Sequence, residues 1–330
     1  MDEFSLINRF FKQAVREADL GVGDDAALIR VTEGHQLAIS TDMLLEGRHF
    51  FSDVDPYTLG HKVLAVNLSD MAAMGARPRF ATLAIGLPKA DIAWLKAFSL
   101  GFFELAERYN VELIGGDTTR SAEHTFSVTI MGEVPHGQAL RRDGAKAGDN
   151  IWVSGHIGTA ALALLGLKRP GSFSDEIMES IRSALETPIP QIELGLGLRS
   201  LASACMDISD GLIGDLPHIL QASGGGAVIC WEMIPCHSAL KAWLDGDKEA
   251  SKRHALQALL AGGDDYQLLF TAPPECDEQI RSLSETLGVT LTFIGKIRAA
   301  PGVFVISNDG SLLEPHYLPN SGFNHFADIK

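Results

Sequence analysis

The sequence predicts a two-domain protein of the mixed α+β or α/β class. Its 330 residues are enough to form two hydrophobic cores. Short apolar runs typical of strands alternate with longer runs in which apolar residues recur at helical spacing. A polar turn at residues 144–149 then predicts an N-terminal domain of residues 1–143 and a C-terminal domain of residues 144–330.

The local patterns predict most elements of both domains. Asp55 and Pro56 are typical of an N-cap and a first helical residue, so we expect a helix from there to about Gly75. The first domain should also contain helices at residues 4–17 and 91–109, and strands at 37–40, 80–87, the start of 111–120, and 125–134. In the second domain we expect one helix after Gly158, one after an N-cap at Ser209 or Asp210, and three at residues 176–185, 192–202 and 277–287. We expect its strands at residues 151–154, 266–270, 291–296 and 303–306.

The composition excludes several classes of protein. The formal net charge of −15 argues against a nucleic-acid partner, because phosphate backbones bind basic surfaces. The sequence shows no signal-peptide pattern and no apolar run long enough to span a bilayer, so we expect no membrane association. The four cysteines lack metal-binding spacing and are typical of reduced thiols in a cytoplasmic protein.

One predicted helix carries polar residues on an apolar face. Asn67 and Asp70 lie three residues apart in LAVNLSDMAAMGA, residues 64–76, so they share one side of the helix. A carboxylate among apolar neighbours is costly unless a partner neutralises it. Asp70 is therefore either a capped or salt-bridged core residue or a metal ligand.

Six acidic motifs recur at predicted strand ends or turns: GDDAA, STD, NLSD, GGD, DISD and GGDD. Each alone is explained by a helix cap or a polar turn. Taken together, they are hard to neutralise with 27 lysine and arginine residues spread along the chain. Several Mg²⁺ ions that join carboxylate and hydroxyl oxygens to nucleotide phosphates would do so. The pattern therefore predicts an acidic Mg-nucleotide enzyme that transfers a phosphoryl group.

The common nucleotide-binding signatures are missing from the sequence. The glycine-rich GHIG, residues 155–158, lacks the lysine of a Walker A loop, and no protein-kinase or GxGxxG motif occurs. Two interpretations stay open for the basic residues. Arg141 and Arg142 form either a solvated pair or a phosphate clamp, and His49 is either a structural hydrogen-bonding residue or a functional one.

The motifs resemble those of the thiamine-monophosphate kinase family in their order and spacing. The matching segments are distributed over nearly the whole chain: FSLINRFF, GVGDDAALI, AISTDML, HKVLAVNLSDMAAMGARP, LIGGDTTR, DISDGL, GGDDYQLLF and GFNHF. The resemblance implies ATP-dependent phosphorylation of thiamine monophosphate to thiamine diphosphate. It also implies a homodimer whose N-terminal mixed sheets form a shared β-barrel, a sandwich-like α/β C-terminal domain, and an active site in the cleft between the domains.

The resemblance also implies roles for individual residues. Magnesium ions would be held by Asp25, Asp42, Asp70, Asp117, Asp207 and Asp210, supported by Ser40 and Thr41. ATP would contact Gly116, Asp117, Arg142 and Ser209. The substrate would contact His49, Asp264 and Phe323, with the Phe323 ring stacked on the thiamine. Asp264 stands where the family usually has Glu, so its side chain is one methylene shorter.

No general base is assigned to the predicted reaction. The acceptor phosphate is already ionised near neutral pH, so in-line transfer depends on positioning and charge neutralisation. Two alternatives stay open. One is a sister enzyme of the same superfamily acting on an amide or a selenide, which would be expected to carry a nucleophilic N-terminal loop; the first cysteine here is Cys205. The other is a non-catalytic sensor of nucleotide or thiamine phosphates.

Overall fold

Two compact units make up the chain in the computed structural model, which describes residues 2–319 and residue 322. The first unit contains Met1–Met71 and Ala76–Ala139, and the second contains Ala72–Gly75 and Leu140–Lys330. Each unit has its own sheet and helices, so the predicted two-domain fold with mixed helices and strands is confirmed. Among the described residues, no helix is both long and apolar enough to cross a bilayer.

A four-stranded sheet in the order β1-β4-β2-β3 forms the centre of the first unit. β2 and β3 are parallel, and the other neighbouring strands are antiparallel. The strands are β1 (His35–Leu45), β2 (Arg77–Leu87), β3 (Glu112–Arg120) and β4 (Thr125–Pro135). The helices are α1 (Glu3–Phe10), α2 (Pro56–Ala73) and α3 (Ile92–Arg108).

The core of the first unit lies between its longer helices and one face of this sheet. The carboxylate of Asp55 accepts hydrogen bonds from the backbone N–H groups of Tyr57 and Thr58, which confirms that Asp55 caps α2. Phe98 of α3 stacks on Phe126 of β4 with ring centroids 4.8 Å apart, and both side chains are fully buried. The cap fixes the start of α2, and the aromatic contact packs α3 against the sheet.

The opposite face of the same sheet carries exposed apolar side chains. Phe80 and Ile114 on this face are covered by apolar residues of the segment 15–29. Ile39 and Met43 of β1 remain 61% and 55% exposed. This stretch of β1 is therefore an apolar surface within the first unit.

A six-stranded sheet in the order β10-β7-β9-β5-β8-β6 forms the centre of the second unit. β10 and β7 are parallel, and the other neighbouring strands are antiparallel. The strands are β5 (Asn150–Ser154), β6 (Ala204–Ile208), β7 (Gly226–Cys230), β8 (Gln267–Ala272), β9 (Leu291–Arg298) and β10 (Gly302–Ile306). The helices are α4 (Thr159–Lys168), α5 (Asp175–Glu186), α6 (Ile192–Leu198), α7 (Leu212–Ser223), α8 (Ser238–Leu244), α9 (Glu249–Ala261) and α10 (Asp277–Leu287).

Several element boundaries in the first unit differ from the prediction. β2 begins at Arg77 rather than at residue 80, and β3 continues through the GGD motif to Arg120. α1 ends at Phe10 rather than Glu17, because the Glu112 carboxylate binds the backbone N–H groups of residues 16–18 and holds them outside a helix. Residues 40–42 lie within β1 rather than at a strand end. The strand continues because these residues pair in register with β4, a contact that the short apolar run does not reveal.

Two predictions about the second unit are also wrong, and three of its elements are not predicted. Gly211, with a φ of 95°, is the N-cap of α7, so neither Ser209 nor Asp210 has that position. α6 ends at Leu198 rather than at residue 202. Sequence analysis predicts none of β7, α8 and α9, because alanine and glycine weaken the strand pattern near Ala227 and the later helices lack a clear apolar stripe.

Candidate active site

Hydroxyl, amide and carboxylate groups meet between β1 and α2. Ser40 Oγ donates to Asp70 Oδ2 at 2.5 Å, and the backbone N–H of Asp42 donates to Asn67 Oδ1 at 3.1 Å. Asn67 is fully buried, and its Nδ2 donates to the Val63 carbonyl one turn earlier. The structure therefore brings Ser40, Asp42 and Asp70 together. Asn67, noticed in the sequence only for its place on the helix, joins β1 to α2 together with Asp70.

Strand register separates Asp117 and Thr41 from that group. Across the paired strands, Asp42 is aligned with Gly116, and Met43 is aligned with Asp117. Because successive side chains of a strand alternate between faces, Asp117 and Thr41 belong to the face of Met43, opposite to that of Asp42. The sequence motifs alone do not distinguish these two faces.

A side chain is sterically excluded at Gly116. Its φ is 153°, and a Cβ at this position would lie 1.9 Å from the carbonyl oxygen of Leu83 on β2. Glycine is therefore required by the close approach of β3 to β2, whatever the exposed backbone binds. The following residue, Asp117, is exposed.

The loop that carries Asp25 is exposed, and ion pairs hold the segment that precedes it. The backbone N–H of Asp25 donates to Asp24 Oδ1 at 3.0 Å, as in a polar turn. Arg79 forms ion pairs with Glu17 at 2.6 Å and with Glu133 at 2.7 Å. These contacts hold the segment that leads into the loop against β2 and β4.

His49 lies in the turn that follows β1. Its Nδ1 accepts a hydrogen bond from the backbone N–H of Leu45 at 3.0 Å. A neutral ring therefore carries its proton on Nε2. The carbonyl oxygen of His49 accepts a hydrogen bond from Lys62 Nζ at 3.3 Å. The first contact orients the imidazole, and the second holds the backbone of His49.

A second acidic group lies at the end of β6 and in the turn that follows it, a segment that we call the acidic turn (residues 207–211). Asp207 is buried, and Ser209 and Asp210 follow it. The backbone N–H of Asp264 donates to the carbonyl oxygen of Ser209 at 2.9 Å, and a side chain on Gly263 would lie 2.3 Å from that oxygen. The structure thus brings the DISD and GGDD motifs together within the second unit.

The GGDD segment has an uncommon backbone conformation. Asp264 and Tyr266, two residues further on, have φ values of 67° and 49°, in a region that residues other than glycine rarely adopt. Such conformations are frequent at functional sites. Tyr266 Oη donates to Asp264 Oδ1 at 3.0 Å, so Tyr266 orients the shortened carboxylate. Tyr266 is not among the site residues predicted from the sequence. Its position directly after the GGDD motif was the signal that could have identified it.

Asp215 is a residue of this site that sequence analysis misses. It is 2% exposed, and its Oδ2 accepts the backbone N–H groups of Ser209 and Asp210, both at 3.0 Å. Burial raises the pKa of Asp215 to about 7; these hydrogen bonds and the charge of Arg142 oppose the shift, and the charge of Asp210 adds to it. The positive charge of the exposed Arg142 therefore interacts with Asp215. An acidic residue in the first turn of α7 was the signal that could have identified Asp215.

Asp265 binds the start of α4, directly after the glycine-rich GHIG sequence that lacks the Walker A lysine. Its Oδ2 accepts the backbone N–H of Gly158 at 2.6 Å, and its Oδ1 accepts that of Ala160 at 3.3 Å. Burial raises the pKa of Asp265 to about 7, against the effect of these hydrogen bonds. The donors at this helix start are therefore satisfied by a carboxylate of the chain itself.

Phe323 lies outside the described residues. The residue before it, Gly322, lies against the acidic turn, because a methyl group on Gly322 would be 2.5 Å from the carbonyl oxygen of Asp210. Gly214 of α7 lies on the same side, since a methyl group there would be 2.9 Å from the Gly322 Cα. The chain therefore reaches the acidic turn one residue before Phe323.

The donor chemistry of these groups fits Mg²⁺. Carboxylate and hydroxyl oxygens are the ligands that Mg²⁺ prefers, and it is usually bound by one or two carboxylates together with water and substrate phosphates. Within residues 2–319 and 322, no three His, Cys, Asp or Glu side chains are grouped closely enough to hold an ion by themselves. The arrangement of Ser40, Asp42 and Asp70 suits an ion that is also bound by phosphate.

Two family models match the chain and define the class of protein. The model described as AIR synthase related protein, N-terminal domain, matches residues 23–134, and the corresponding C-terminal domain model matches residues 146–308. The crystal structure of E. coli HypE has the same fold, with a TM-score of 0.76 at 22% identity over 96% of this chain and 95% of that one.

More similar relatives narrow this class to one family. The thiamine-monophosphate kinase of Escherichia coli K12 is 43% identical over 98% of both chains, and that of Haemophilus influenzae is 38% identical over 100% of this chain and 99% of its own. The crystal structure of the thiamine-monophosphate kinase from Stenotrophomonas maltophilia K279a gives a TM-score of 0.83 at 43% identity, covering 94% of this chain and 98% of that one. AaThiL complexed with AMPPCP and TMP gives 0.76 at 30% identity, covering 98% and 96%. This chain belongs to the thiamine-monophosphate kinase family.

Proposed function

We propose that this chain transfers a phosphoryl group from ATP to thiamine monophosphate and forms thiamine diphosphate. The observation that carries this proposal is the 43% identity over 98% of both chains with the E. coli thiamine-monophosphate kinase. The AaThiL complex with AMPPCP and TMP supports the same pair of substrates, because the structural match covers 96% of the AaThiL chain. Each of the two acidic groups has carboxylate and hydroxyl oxygens, which suit polyphosphate chemistry with Mg²⁺.

The proposal includes Mg²⁺ ions as cofactors. The proposed ligands are Asp25, Asp42, Asp70, Asp117, Asp207 and Asp210, with Ser40 and Thr41 in support. Bound Mg²⁺ supplies positive charge that balances the phosphates of the donor and acceptor. The oxygen-rich group around Asp42 and Asp70 supports the assignment of those two ligands. The net charge of −15, which would otherwise repel ATP, supports the binding of cations in general.

Other residues of the chain bind and orient the two substrates in this proposal. The backbone of Gly116, the side chains of Asp117 and Arg142, and Ser209 contact ATP. His49, Asp264 and Phe323 contact thiamine monophosphate, and the Nε2–H of His49 is suited to donate to a phosphate oxygen. The acceptor phosphate is already ionised near neutral pH, so no residue has to remove a proton from it. In-line transfer then depends on how accurately these residues align the two phosphates.

The proposed organisation of the chain follows these roles. Residues 1–143 bind ATP and Mg²⁺ and form the dimer, and residues 144–330 contribute the remaining site residues. A cytoplasmic location is also part of the proposal. The four cysteines support it because they are unpaired, as is usual for cytoplasmic proteins.

A product assay tests the proposed reaction directly. With thiamine monophosphate, ATP and Mg²⁺, we expect mass spectrometry to detect thiamine diphosphate and ADP in a one-to-one ratio. Free thiamine, which lacks the acceptor phosphate, should give no product under the same conditions, and chelation of Mg²⁺ should stop the reaction. Mg²⁺-dependent ATP binding without any product would contradict the kinase assignment and favour the sister enzyme or the sensor.

A homodimer built through the sheet of the first unit is also proposed. Ile39 and Met43 support it, because a monomer would leave both side chains more than half exposed on one strand. Pairing of this face with a second copy would bury them and would form the barrel that the family resemblance implies.

A charge at Ile39 is expected to weaken this dimer. In Ile39→Glu the new carboxylate would have to be buried without a partner, so sedimentation should shift from dimer towards monomer. Leu312→Glu is the matched control, because Leu312 is 63% exposed in the second unit. A monomeric native protein, or an unchanged dimer in Ile39→Glu, would rule out this interface.

A further inference from the structure

We infer that Asp215 is a positioning residue for the nucleotide, because it holds the backbone of the acidic turn in the arrangement that binds ATP with Mg²⁺. This inference rests on the proposed function and deepens it. Asp215 is not among the proposed ligands, and it acts through the residues that are.

The geometry of the carboxylate carries the inference. A single oxygen, Asp215 Oδ2, accepts two backbone N–H groups at 3.0 Å each, and these belong to Ser209 and Asp210. One acceptor shared by consecutive peptide groups fixes the orientation of both. The peptide that carries the proposed ligand Asp210 is therefore oriented by Asp215.

These hydrogen bonds are not an ordinary helix cap. A cap satisfies N–H groups of the first helical turn, whereas Ser209 and Asp210 precede the N-cap of α7, which is Gly211. Asp215 reaches back from the helix to the turn outside it. Stabilisation of α7 alone therefore does not account for these contacts, because they also orient the turn that precedes the helix.

The same helix also contacts the backbone of the proposed ATP-binding residue Arg142. Ser223, the last residue of α7, donates through Oγ to the carbonyl oxygen of Arg142 at 2.7 Å. The positive charge of Arg142 also interacts favourably with the Asp215 carboxylate. α7 thus links the acidic turn at its start with Arg142 at its end, and Asp215 is the link at the acidic turn.

Direct binding measurements on the full chain test this role. The probe is AMPPCP with Mg²⁺, measured by titration calorimetry, alongside the apparent KM for ATP, the KM for thiamine monophosphate and kcat. In Asp215→Ala, Mg²⁺-dependent binding of AMPPCP should weaken by roughly tenfold or more, with the KM for thiamine monophosphate little changed. In Asp215→Asn, the amide oxygen can still accept both N–H groups, so binding should remain within about threefold of the native value.

The control is a buried carboxylate at the other end of β6. Asp149 accepts hydrogen bonds from the backbone N–H of Lys146 at 2.9 Å and from Ser203 Oγ at 2.6 Å, so Asp149→Ala removes a comparable set of contacts. AMPPCP binding should be close to native in this variant. If Asp215→Ala does not fold, Asp215→Ser, which shortens the side chain, should show the weaker binding instead.

Several outcomes would overturn the inference. One is native AMPPCP binding in the folded Asp215→Ala or Asp215→Ser variant. The others are AMPPCP binding in Asp215→Asn or in Asp149→Ala that is weakened as much as in Asp215→Ala. A native protein that binds AMPPCP with Mg²⁺ but forms no thiamine diphosphate would refute the proposed function, while the binding data on the variants would still decide the role of Asp215.

Discussion

Asp42→Asn is expected to lower kcat by roughly 100-fold or more while the protein stays folded. The amide has nearly the same shape as the carboxylate, and the hydrogen bond from the backbone of residue 42 to Asn67 does not involve the side chain. What the substitution removes is the negative charge that the proposed Mg²⁺ site requires. Steady-state kinetics over a range of Mg²⁺ concentrations, with the thermal midpoint as a check of folding, measure this effect.

A matched substitution separates this effect from a general loss of acidic charge. Glu107 is exposed on α3, and Glu107→Gln removes one negative charge without touching the group around Asp42. Its kcat and Mg²⁺ dependence should be native. Turnover close to native in Asp42→Asn would show that Asp42 is not part of the catalytic metal site.

Asp265→Asn is expected to change how the stability of the second unit depends on pH. Burial raises the pKa of Asp265 to about 7 from its usual value of 3.8. Between about pH 4 and pH 7, the folded protein therefore holds a proton on Asp265 that the unfolded chain has released. The free energy of unfolding should fall as the pH rises through this interval, by up to about 1.4 kcal/mol per pH unit from this one group.

The difference between native protein and variant isolates this contribution. The amide introduced by Asp265→Asn does not titrate, so the native free energy of unfolding minus that of the variant should decrease from about pH 4 to pH 7 and then level off. Urea unfolding at a series of pH values measures it, and hydrogen exchange of the α4 amides shows that the second unit is the part that unfolds. A difference that does not vary with pH, or that grows as the pH rises, would contradict the prediction.

Asp91 provides a control of opposite sign. Its carboxylate caps α3, and the hydrogen bond from the backbone N–H of Trp94 is the main cause of a lowered pKa. The folded carboxylate thus stays ionised to lower pH than the unfolded one. Its contribution to stability is present above the usual pKa and is lost as the pH falls. The native free energy of unfolding minus that of Asp91→Asn should therefore decrease on acidification.

The local sequence was sufficient where the signal came from neighbouring residues. Asp55 and Pro56 fix the start of α2 because a cap acts within one helical turn. The shared face of Asn67 and Asp70 follows from helical periodicity alone, and both residues do face β1. The order of the acidic motifs was enough to identify the family by resemblance, and the comparisons confirm it.

Contacts between distant segments decided the rest. Glu112 ends the predicted first helix early through hydrogen bonds to residues 16–18, nearly a hundred positions away. Strand register assigns Asp42 and Asp117 to opposite faces, although each lies beside glycine or hydroxyl residues in the sequence. A one-residue shift in register exchanges the faces of a strand, and only the paired partner strands determine it.

The sequence by itself determined which residues of this protein are acidic, which helices could form around them, and to which family it belongs. Only the tertiary structure decided that Asp215 supports the acidic turn, that Tyr266 orients Asp264, and that Asp265 occupies the start of α4. The physical reason is that a local pattern records the conformational preference of a segment. The partner of a buried carboxylate is instead chosen by which backbone N–H groups the completed fold brings within hydrogen-bonding distance.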